Sequence, residues 1–182
     1  WGFRKDCNIM DHPSIICIIS TGGTFDKYYD EIKGELTFRE SHLPRIIKAS
    51  RCTLPIQIIP VIAIDSLYMD DSHRAKVAET CLARDEKRIV ITHGTDTMVE
   101  TATVIARANL NKTVVLTGAM VPYALENSDA VFNLGCAITA VQLLPKGVYI
   151  CMSGKVFAYD KVKKNRQLGI FDGETIGSSW VS

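Results

Sequence analysis

Residues 89–97, which read IVITHGTDT, join a short run of β-branched residues to a turn that carries threonine hydroxyls. Residues 15–24, IICIISTGGT, repeat this arrangement, because an apolar run leads into a Gly-Gly turn that ends at Thr24. A strand that stops at a tight turn bearing a hydroxyl is a common way to aim a nucleophile out of a sheet. If both strands belong to one parallel sheet, the hydroxyls of Thr24 and Thr95 converge at its carboxyl edge. That geometry suits acyl transfer.

Apolar runs and helical patterns alternate along the rest of the chain, which indicates βαβ units. The sequence therefore predicts an α/β fold: a three-layer, flavodoxin-like domain with a mostly parallel sheet covered on both faces. No G-x-G-x-x-G motif opens a helix, which disfavours a dinucleotide-binding fold. The predicted strands are residues 15–20, 56–64, 89–92, 113–117 and 148–152, and the predicted helices are residues 41–51, 72–84, 97–109 and 127–143.

Several local features refine this prediction. Pro60 interrupts the second strand, which indicates an edge strand or one with a bulge. Ser41 and Ser72 are the expected N-caps of the first two helices. Residues 155–182 are richer in glycine and charge, and we expect a hairpin or short extension there. The active site is expected at the carboxyl ends of the first and third strands.

Composition limits the classes of function. The chain has 182 residues, 47% of them hydrophobic, which predicts one domain over residues 15–182 preceded by an N-terminal arm, residues 1–14. The 21 basic and 20 acidic residues nearly cancel, so neither nucleic acid nor a membrane is an expected partner. The six cysteines form no C-x-x-C pair, which favours reduced thiols in a cytoplasmic protein over disulfides or zinc. No metal site is predicted.

A threonine hydroxyl is a poor nucleophile at neutral pH and needs a proton acceptor. Tyr28 and Tyr29 lie close to Thr24 along the chain, and either could hydrogen-bond its hydroxyl. The basic run at residues 161–166 is usually a solvated turn. A lysine from it, Lys163 or Lys164, would lose proton affinity in a desolvated cleft and could then act as a base.

Structural interpretations compete with each of these functional ones. A Gly-Gly turn after a strand is usually only a turn. His93, at the end of a strand, is more often a satisfied structural histidine than a general base. Asp96 and Thr97 could simply cap the following helix. As a functional residue, an ionised Asp96 suits a substrate ammonium group, and backbone N–H groups at the turns suit an oxyanion.

The two turns carry a family resemblance. Residues 21–24 and 93–97 resemble the two signature motifs of the bacterial-type L-asparaginases, the threonine-dependent asparaginase/glutaminase family. The resemblance extends in consistent order over roughly residues 15–165. Further matching segments are residues 64–66, similar to a serine-bearing loop; 117–122, similar to a GAM-x-P turn; 128–129 and 132–134, similar to the helix after it; and 156–164, similar to the segment that ends in the catalytic lysine.

The resemblance implies a role for each matching residue. Thr24 would be the primary nucleophile, assisted by Tyr29. Thr95, Asp96 and Lys164 would form a second triad that activates a hydroxyl or the attacking water. The implied substrate-binding residues are Ser66 for the α-carboxylate, Asp96 for the α-ammonium, and Gly23 and Gly94 in the two turns.

The implied activity is hydrolysis of L-asparagine to L-aspartate and ammonia through an acyl-enzyme, with neither a metal nor an organic cofactor. Alternatives are a glutamine amidase that supplies ammonia for tRNA-dependent amidation, and a catalytically silent amino-acid-binding module. The implied assembly is a homo-oligomer, a dimer or tetramer.

The chain departs from the family pattern at one point. Family members generally continue into a second, C-terminal domain, and this chain stops near where that domain would begin. A naturally short enzyme, a truncated piece and a non-catalytic relative are all compatible with this length. We favour the short, single-domain form because the catalytic set is otherwise complete.

Overall fold

The apolar runs form the strands of a seven-stranded sheet, and a separate two-stranded hairpin follows the first of them. The structure is a computed structural model, and it describes residues 14–177. The strands are β1 (Ile16–Gly22), β2 (Lys27–Asp30), β3 (Glu35–Phe38), β4 (Ile56–Ile64), β5 (Arg88–Thr92), β6 (Thr113–Thr117), β7 (Gly147–Met152), β8 (Lys155–Asn165) and β9 (Ile170–Thr175). The helices are α1 (Leu43–Ala49), α2 (Asp71–Ala83), α3 (Met98–Arg107) and α4 (Ala130–Leu143).

The strand order in the large sheet is β4-β1-β5-β6-β7-β8-β9. The first five of these strands run parallel, whereas β8 and β9 are antiparallel. With the β2–β3 hairpin set aside, the parallel strands follow the order second, first, third, fourth, fifth, which is the flavodoxin-like order. The predicted mostly parallel α/β sheet is therefore confirmed. The predicted hairpin after residue 155 is also present, as β8 and β9.

Helices cover both faces of the sheet, as expected for a three-layer fold. Helices α2 and α3 pack on one face, against side chains such as Ile19, Ile91 and Leu116. Helices α1 and α4 pack on the other, against the alternate residues, such as Ile18 and Val90. Because both faces are covered, every residue of β1 is buried, which explains its nearly continuous apolar sequence.

Strand β4 lies at the edge of the sheet, and its pairing with β1 shifts register between Ser20 and Gly22. Pro60 sits opposite Ser20, next to that irregularity. The predicted edge strand is confirmed, and the pairing is irregular next to Pro60. A proline is tolerated here because an edge strand leaves one side of its backbone without a ladder partner.

Both predicted helix caps are wrong by one or two positions. The N-cap of α1 is His42, and Ser41 instead donates a hydrogen bond to the buried Asp26 at 3.0 Å. The N-cap of α2 is Asp70, whose carboxylate accepts from the backbone of His73 at 3.0 Å. At α2, aspartate and serine are about equally good N-cap residues, so residue type alone could not decide between Asp70 and Ser72.

The five described cysteines are free, and Cys17, Cys81 and Cys151 are buried. Burial raises the pKa of both Cys81 and Cys151 to about 12, so these thiols stay protonated. Cys7 and most of the predicted N-terminal arm lie outside the described residues, as do residues 178–182 of the tail. None of the helices between residues 14 and 177 has the length and apolar character that crossing a membrane requires.

Candidate active site

The two threonine turns leave adjacent strands. Strands β1 and β5 pair in parallel, with Ser20 opposite Thr92, so the chain leaves both strands at the same edge. The chain crosses from β1 to β4 in one direction and from β5 to β6 in the other. The switch point of the sheet therefore lies between β1 and β5. Ligands of open α/β sheets bind in the crevice at such a point.

Two glycines bring the turns into direct contact. A Cβ atom added to Gly23 would lie 2.4 Å from the backbone nitrogen of Gly94, and Gly23 has a φ of +70°. Any other residue at Gly23 would therefore push the turns apart and would also be strained. Each of these glycines directly precedes a candidate threonine, Thr24 or Thr95, so the contact joins the two turns that carry these threonines.

A third turn, after β4, joins the other two. A Cβ atom on Gly94 would lie 2.4 Å from Ser66 Oγ, so the Ser66 turn packs directly against the Thr95 turn. Thr97 Oγ1 donates to the carbonyl oxygen of Ser66 at 2.8 Å. The Gly23 backbone N–H donates to the carbonyl oxygen of Ile64 at 2.9 Å, which ties the first turn to the same segment.

Lys164 reaches the site from the antiparallel strand β8. Its Nζ donates to Thr95 Oγ1 at 2.8 Å and to Asp96 Oδ1 at 2.9 Å. The Lys164 side chain is only 10% exposed, and Arg166 Nε lies 3.9 Å from the same carboxylate oxygen. The Lys164 nitrogen thus lies within hydrogen-bond distance of the Thr95 hydroxyl, which is the geometry that a general base needs.

Ser66 is completely buried, and its hydroxyl has no hydrogen-bond partner among residues 14–177. Buried polar groups in folded proteins nearly always have a partner, and an exception calls for an explanation. Here the hydroxyl lies in the group of three turns, so a polar group of a bound ligand is a natural partner.

Thr24 and Tyr29 are not brought together by a hydrogen bond. Thr24 begins a short 3-10 turn, and within the described part of the chain neither its hydroxyl nor that of Tyr29 has a hydrogen-bond partner. The Tyr29 side chain is 59% exposed, on the β2–β3 hairpin. Tyr28 is engaged elsewhere, since its ring lies 3.9 Å from that of His42.

The buried Asp26 anchors the first turn, although no motif in the sequence marks this residue. Its carboxylate accepts hydrogen bonds from Ser20 Oγ at 2.8 Å and from the backbone of His42 at 3.0 Å. These contacts fix the segment that carries Thr24 to the end of β1 and to the start of α1. The partners lie 6 and 16 residues away along the chain, so no motif or helical spacing pointed to Asp26.

The second turn rests on the segments that resemble the GAM-x-P turn and the helix after it. Asp129 accepts from the backbone N–H groups of Met120 and Val121 at 3.0 Å. Asn133 donates to the carbonyl oxygen of Gly118 at 3.0 Å. These residues support the turn and make no hydrogen bond to the hydroxyls of Thr24, Thr95 or Ser66.

His93 is fully buried and has two partners. Its Nδ1 lies 2.7 Å from the carbonyl oxygen of Gly94, and its Nε2 lies 2.8 Å from Thr101 Oγ1. Burial lowers the pKa of His93 to about 4, so the ring is neutral at physiological pH. These contacts favour the structural interpretation of this residue over a role as general base. The hydroxyl of Thr97 likewise does not cap α3, although Thr97 occupies the N-cap position.

The neutral His93 predicts an acid-sensitive fold. Its folded pKa of about 4 lies below the unfolded value of about 6.5, so the stability that it contributes is complete above the unfolded pKa and is lost as pH falls toward 4. Between pH 7 and 5 this group should remove about 2 kcal/mol from the free energy of unfolding. Urea unfolding at both pH values measures it. The His93→Gln variant should lack that part of the loss; an unchanged pH dependence would contradict the assignment.

Comparison with known proteins supports the resemblance. A family model described as Asparaginase, N-terminal, matches residues 15–172. L-asparaginase from Thermococcus kodakarensis is 39% identical over 84 residues, which are 45% of this chain and 26% of that protein. A subunit of the glutamyl-tRNA(Gln) amidotransferase from Methanococcus vannielii is 31% identical over 160 residues, which are 84% of this chain and 38% of that protein.

Solved structures give the same result. The thermostable L-asparaginase from Thermococcus kodakarensis superposes with a TM-score of 0.79 at 26% identity, over 89% of this chain and 52% of that one. A probable cytoplasmic L-asparaginase from Campylobacter jejuni gives 0.74 at 32% identity, over 88% and 53%. The matched region is thus about half the length of these solved relatives, and less of the curated ones. Because the family model covers most of the sequence, this chain belongs to the asparaginase family, in the region of its N-terminal domain.

Proposed function

We propose that this chain hydrolyses L-asparagine to L-aspartate and ammonia through a threonine acyl-enzyme. The observation that carries this proposal is the cluster of Lys164, Thr95 and Asp96, joined by bonds of 2.8 and 2.9 Å, next to the turn that carries Thr24. Two hydroxyls, one lysine and one carboxylate are the groups that the chemistry requires, and the contact between Gly23 and Gly94 brings together the two turns that carry the threonines.

In this mechanism Thr24 Oγ1 attacks the carboxamide carbon of the substrate, and its proton passes to a neighbouring acceptor. The tetrahedral oxyanion accepts hydrogen bonds from backbone N–H groups of the turns. The C–N bond then breaks, and the nitrogen gains a proton. Ammonia departs, and the acyl group of the substrate stays bound to Thr24 as an ester. Water attacks this ester, and the Thr95–Lys164 pair takes its proton. The products are L-aspartate and the regenerated hydroxyl of Thr24.

The remaining residues hold the substrate. Ser66 Oγ would donate to the α-carboxylate, which gives this buried hydroxyl its missing partner. Asp96 would bind the α-ammonium group, and Gly23 and Gly94 would contact the substrate through their backbones. Tyr29 would approach Thr24 once substrate is bound, since it sits on an exposed hairpin.

The proposal extends to the protein in the cell. Residues 15–182 would act as one catalytic domain in the cytoplasm, within a dimer or tetramer and without a metal or organic cofactor. The cytoplasmic location is supported by a solved relative that is described as a probable cytoplasmic L-asparaginase.

A second candidate is a glutamine amidase that supplies ammonia for tRNA amidation. The relatives that are subunits of glutamyl-tRNA(Gln) amidotransferases favour it, because they align over most of this chain. Asparagine and glutamine differ by one methylene, and a pocket discriminates such a difference by only about 1–3 kcal/mol. A catalytically silent module is the third candidate, and it predicts aspartate binding without ammonia release.

An ammonia-coupled assay on both amides separates the three candidates. We expect release from both substrates, with the higher kcat/KM for asparagine. A clear preference for glutamine would favour the amidase of tRNA amidation instead. Ammonia from neither substrate, with aspartate still bound in calorimetry, would leave the silent module.

A further inference from the structure

An ion pair connects the first and third turns of the candidate site. Lys27 Nζ lies 2.5 Å from Asp65 Oδ2. Lys27 is three positions after Thr24, and Asp65 directly precedes Ser66. The two side chains are only 18% and 21% exposed, so the pair is better shielded from water than a typical surface salt bridge.

The Asp65 carboxylate has a different partner on each oxygen. Oδ1 accepts the backbone N–H of Leu67 at 3.0 Å and thereby caps the 3-10 turn that begins at Ser66. Oδ2 accepts from Lys27 on the nucleophile side. One carboxylate thus shapes the turn of the unpartnered Ser66 hydroxyl and ties it to the segment of Thr24.

The charges on this pair affect what Ser66 can bind. Burial would raise the pKa of Asp65, but the hydrogen bonds from Lys27 and Leu67, with the charges of Lys27 and Lys164, outweigh burial and lower it. Asp65 is therefore an anion directly beside Ser66. An anionic ligand group at Ser66 would be repelled by this carboxylate unless the ammonium of Lys27 neutralised it.

We propose that Lys27 and Asp65 are positioning residues that make the Ser66 turn able to receive a carboxylate. The inference rests on the proposed function and deepens it, because it explains how the site selects amides that carry a free α-carboxylate. The pair fixes the distance between the nucleophile turn and the carboxylate site and cancels the negative charge beside it. The Lys27 side chain bonds to Asp65, and the Asp65 side chain bonds to Lys27 and Leu67, so neither side chain is bonded to the hydroxyl of the candidate nucleophile or to the Thr95–Lys164 pair. We therefore expect the pair to act mainly on substrate binding.

The test uses Lys27→Met, which removes the tie and exposes the Asp65 charge, and Asp65→Asn, which removes the charge but can still cap Leu67. Lys27→Met should raise KM for asparagine roughly tenfold, because it loses the tie and leaves the repelling charge of Asp65. Asp65→Asn should raise KM by a smaller factor, because it weakens the tie but also removes that charge. For both variants kcat should stay within about threefold of the unmodified chain. Lys27→Arg should restore KM, because a guanidinium also reaches a carboxylate. Arg84→Met is the matched control, since it breaks a different ion pair, with Glu86 at 2.7 Å.

A second readout needs no turnover. Hydrogen exchange at residues 22–27 and 64–69 should rise in both Lys27→Met and Asp65→Asn, and should not rise in Arg84→Met. An unchanged KM for Lys27→Met, a loss confined to kcat, or unchanged exchange in both segments would each overturn the inference. If the unmodified chain releases ammonia from neither amide, the proposed function fails by itself. Exchange and the affinity for L-aspartate then decide the role of the pair.

Discussion

Thr24→Ala and Thr95→Ala should each abolish ammonia release from asparagine, by at least about 10³-fold in kcat/KM. Thr24→Ala removes the oxygen that forms the acyl bond. Thr95→Ala removes the hydroxyl that accepts a hydrogen bond from Lys164 at 2.8 Å and so breaks the proton path to water. When two residues act as one catalytic unit, removal of either one loses nearly all of the rate enhancement. The double variant should therefore be no slower than the single variants.

Both variants should keep the fold. Thr24 Oγ1 makes no hydrogen bond within residues 14–177, and Lys164 keeps its bond to Asp96 at 2.9 Å when Thr95 is shortened. Circular dichroism and thermal unfolding check this point. Thr80→Ala is the matched control, because within residues 14–177 its hydroxyl bonds only to the carbonyl oxygen of Lys76 on α2. Full turnover in both Thr24→Ala and Thr95→Ala would refute the assignment.

Lys164→Met should lower turnover by roughly 10²–10⁴-fold, the range for loss of a general acid or base. Its neighbour Lys163 offers a close control, since both residues lie on β8 and carry the same charge. The Lys163 side chain is exposed, whereas that of Lys164 is 10% exposed and bonded to two site residues. Lys163→Met should therefore change turnover by no more than about twofold.

Steady-state kinetics on the two lysine variants decide the role. If both variants change turnover only slightly and by the same factor, Lys164 is a solvated charge in a turn and not a base. Affinity for L-aspartate adds a check, because Lys164→Met leaves Asp96 with the more distant Arg166 at 3.9 Å. A variant that still binds aspartate but does not turn over asparagine has lost chemistry, as we expect.

The fold could be predicted from sequence because its signals are local. Each apolar, β-branched run became a strand, and each helical pattern between two runs became a covering helix. The helix caps were less predictable. Asp70 and Ser72 stand two positions apart, and both residue types cap helices, so only the three-dimensional turn decides between them.

The site was harder to predict because its members are far apart along the chain. Lys164 and Thr95 are 69 residues apart, and their contact depends on β8 returning antiparallel beside β7. The family resemblance pointed to Lys164, whereas the residues alone left Lys163 as an equal candidate. Lys27 and Asp65 are 38 residues apart, and nothing in the sequence indicated that they pair. The assistance of Thr24 by Tyr29 stays a prediction.

The central claim is that the hydroxyls of Thr24 and Thr95 meet around one carbonyl carbon, and a crystal structure with bound L-aspartate tests it most directly. The predicted complex places the β-carboxylate of aspartate within hydrogen-bond distance of both Thr24 Oγ1 and Thr95 Oγ1, with the α-carboxylate on Ser66 Oγ. Aspartate bound outside this group of turns, or in contact with only one of the two threonines, would contradict the claim.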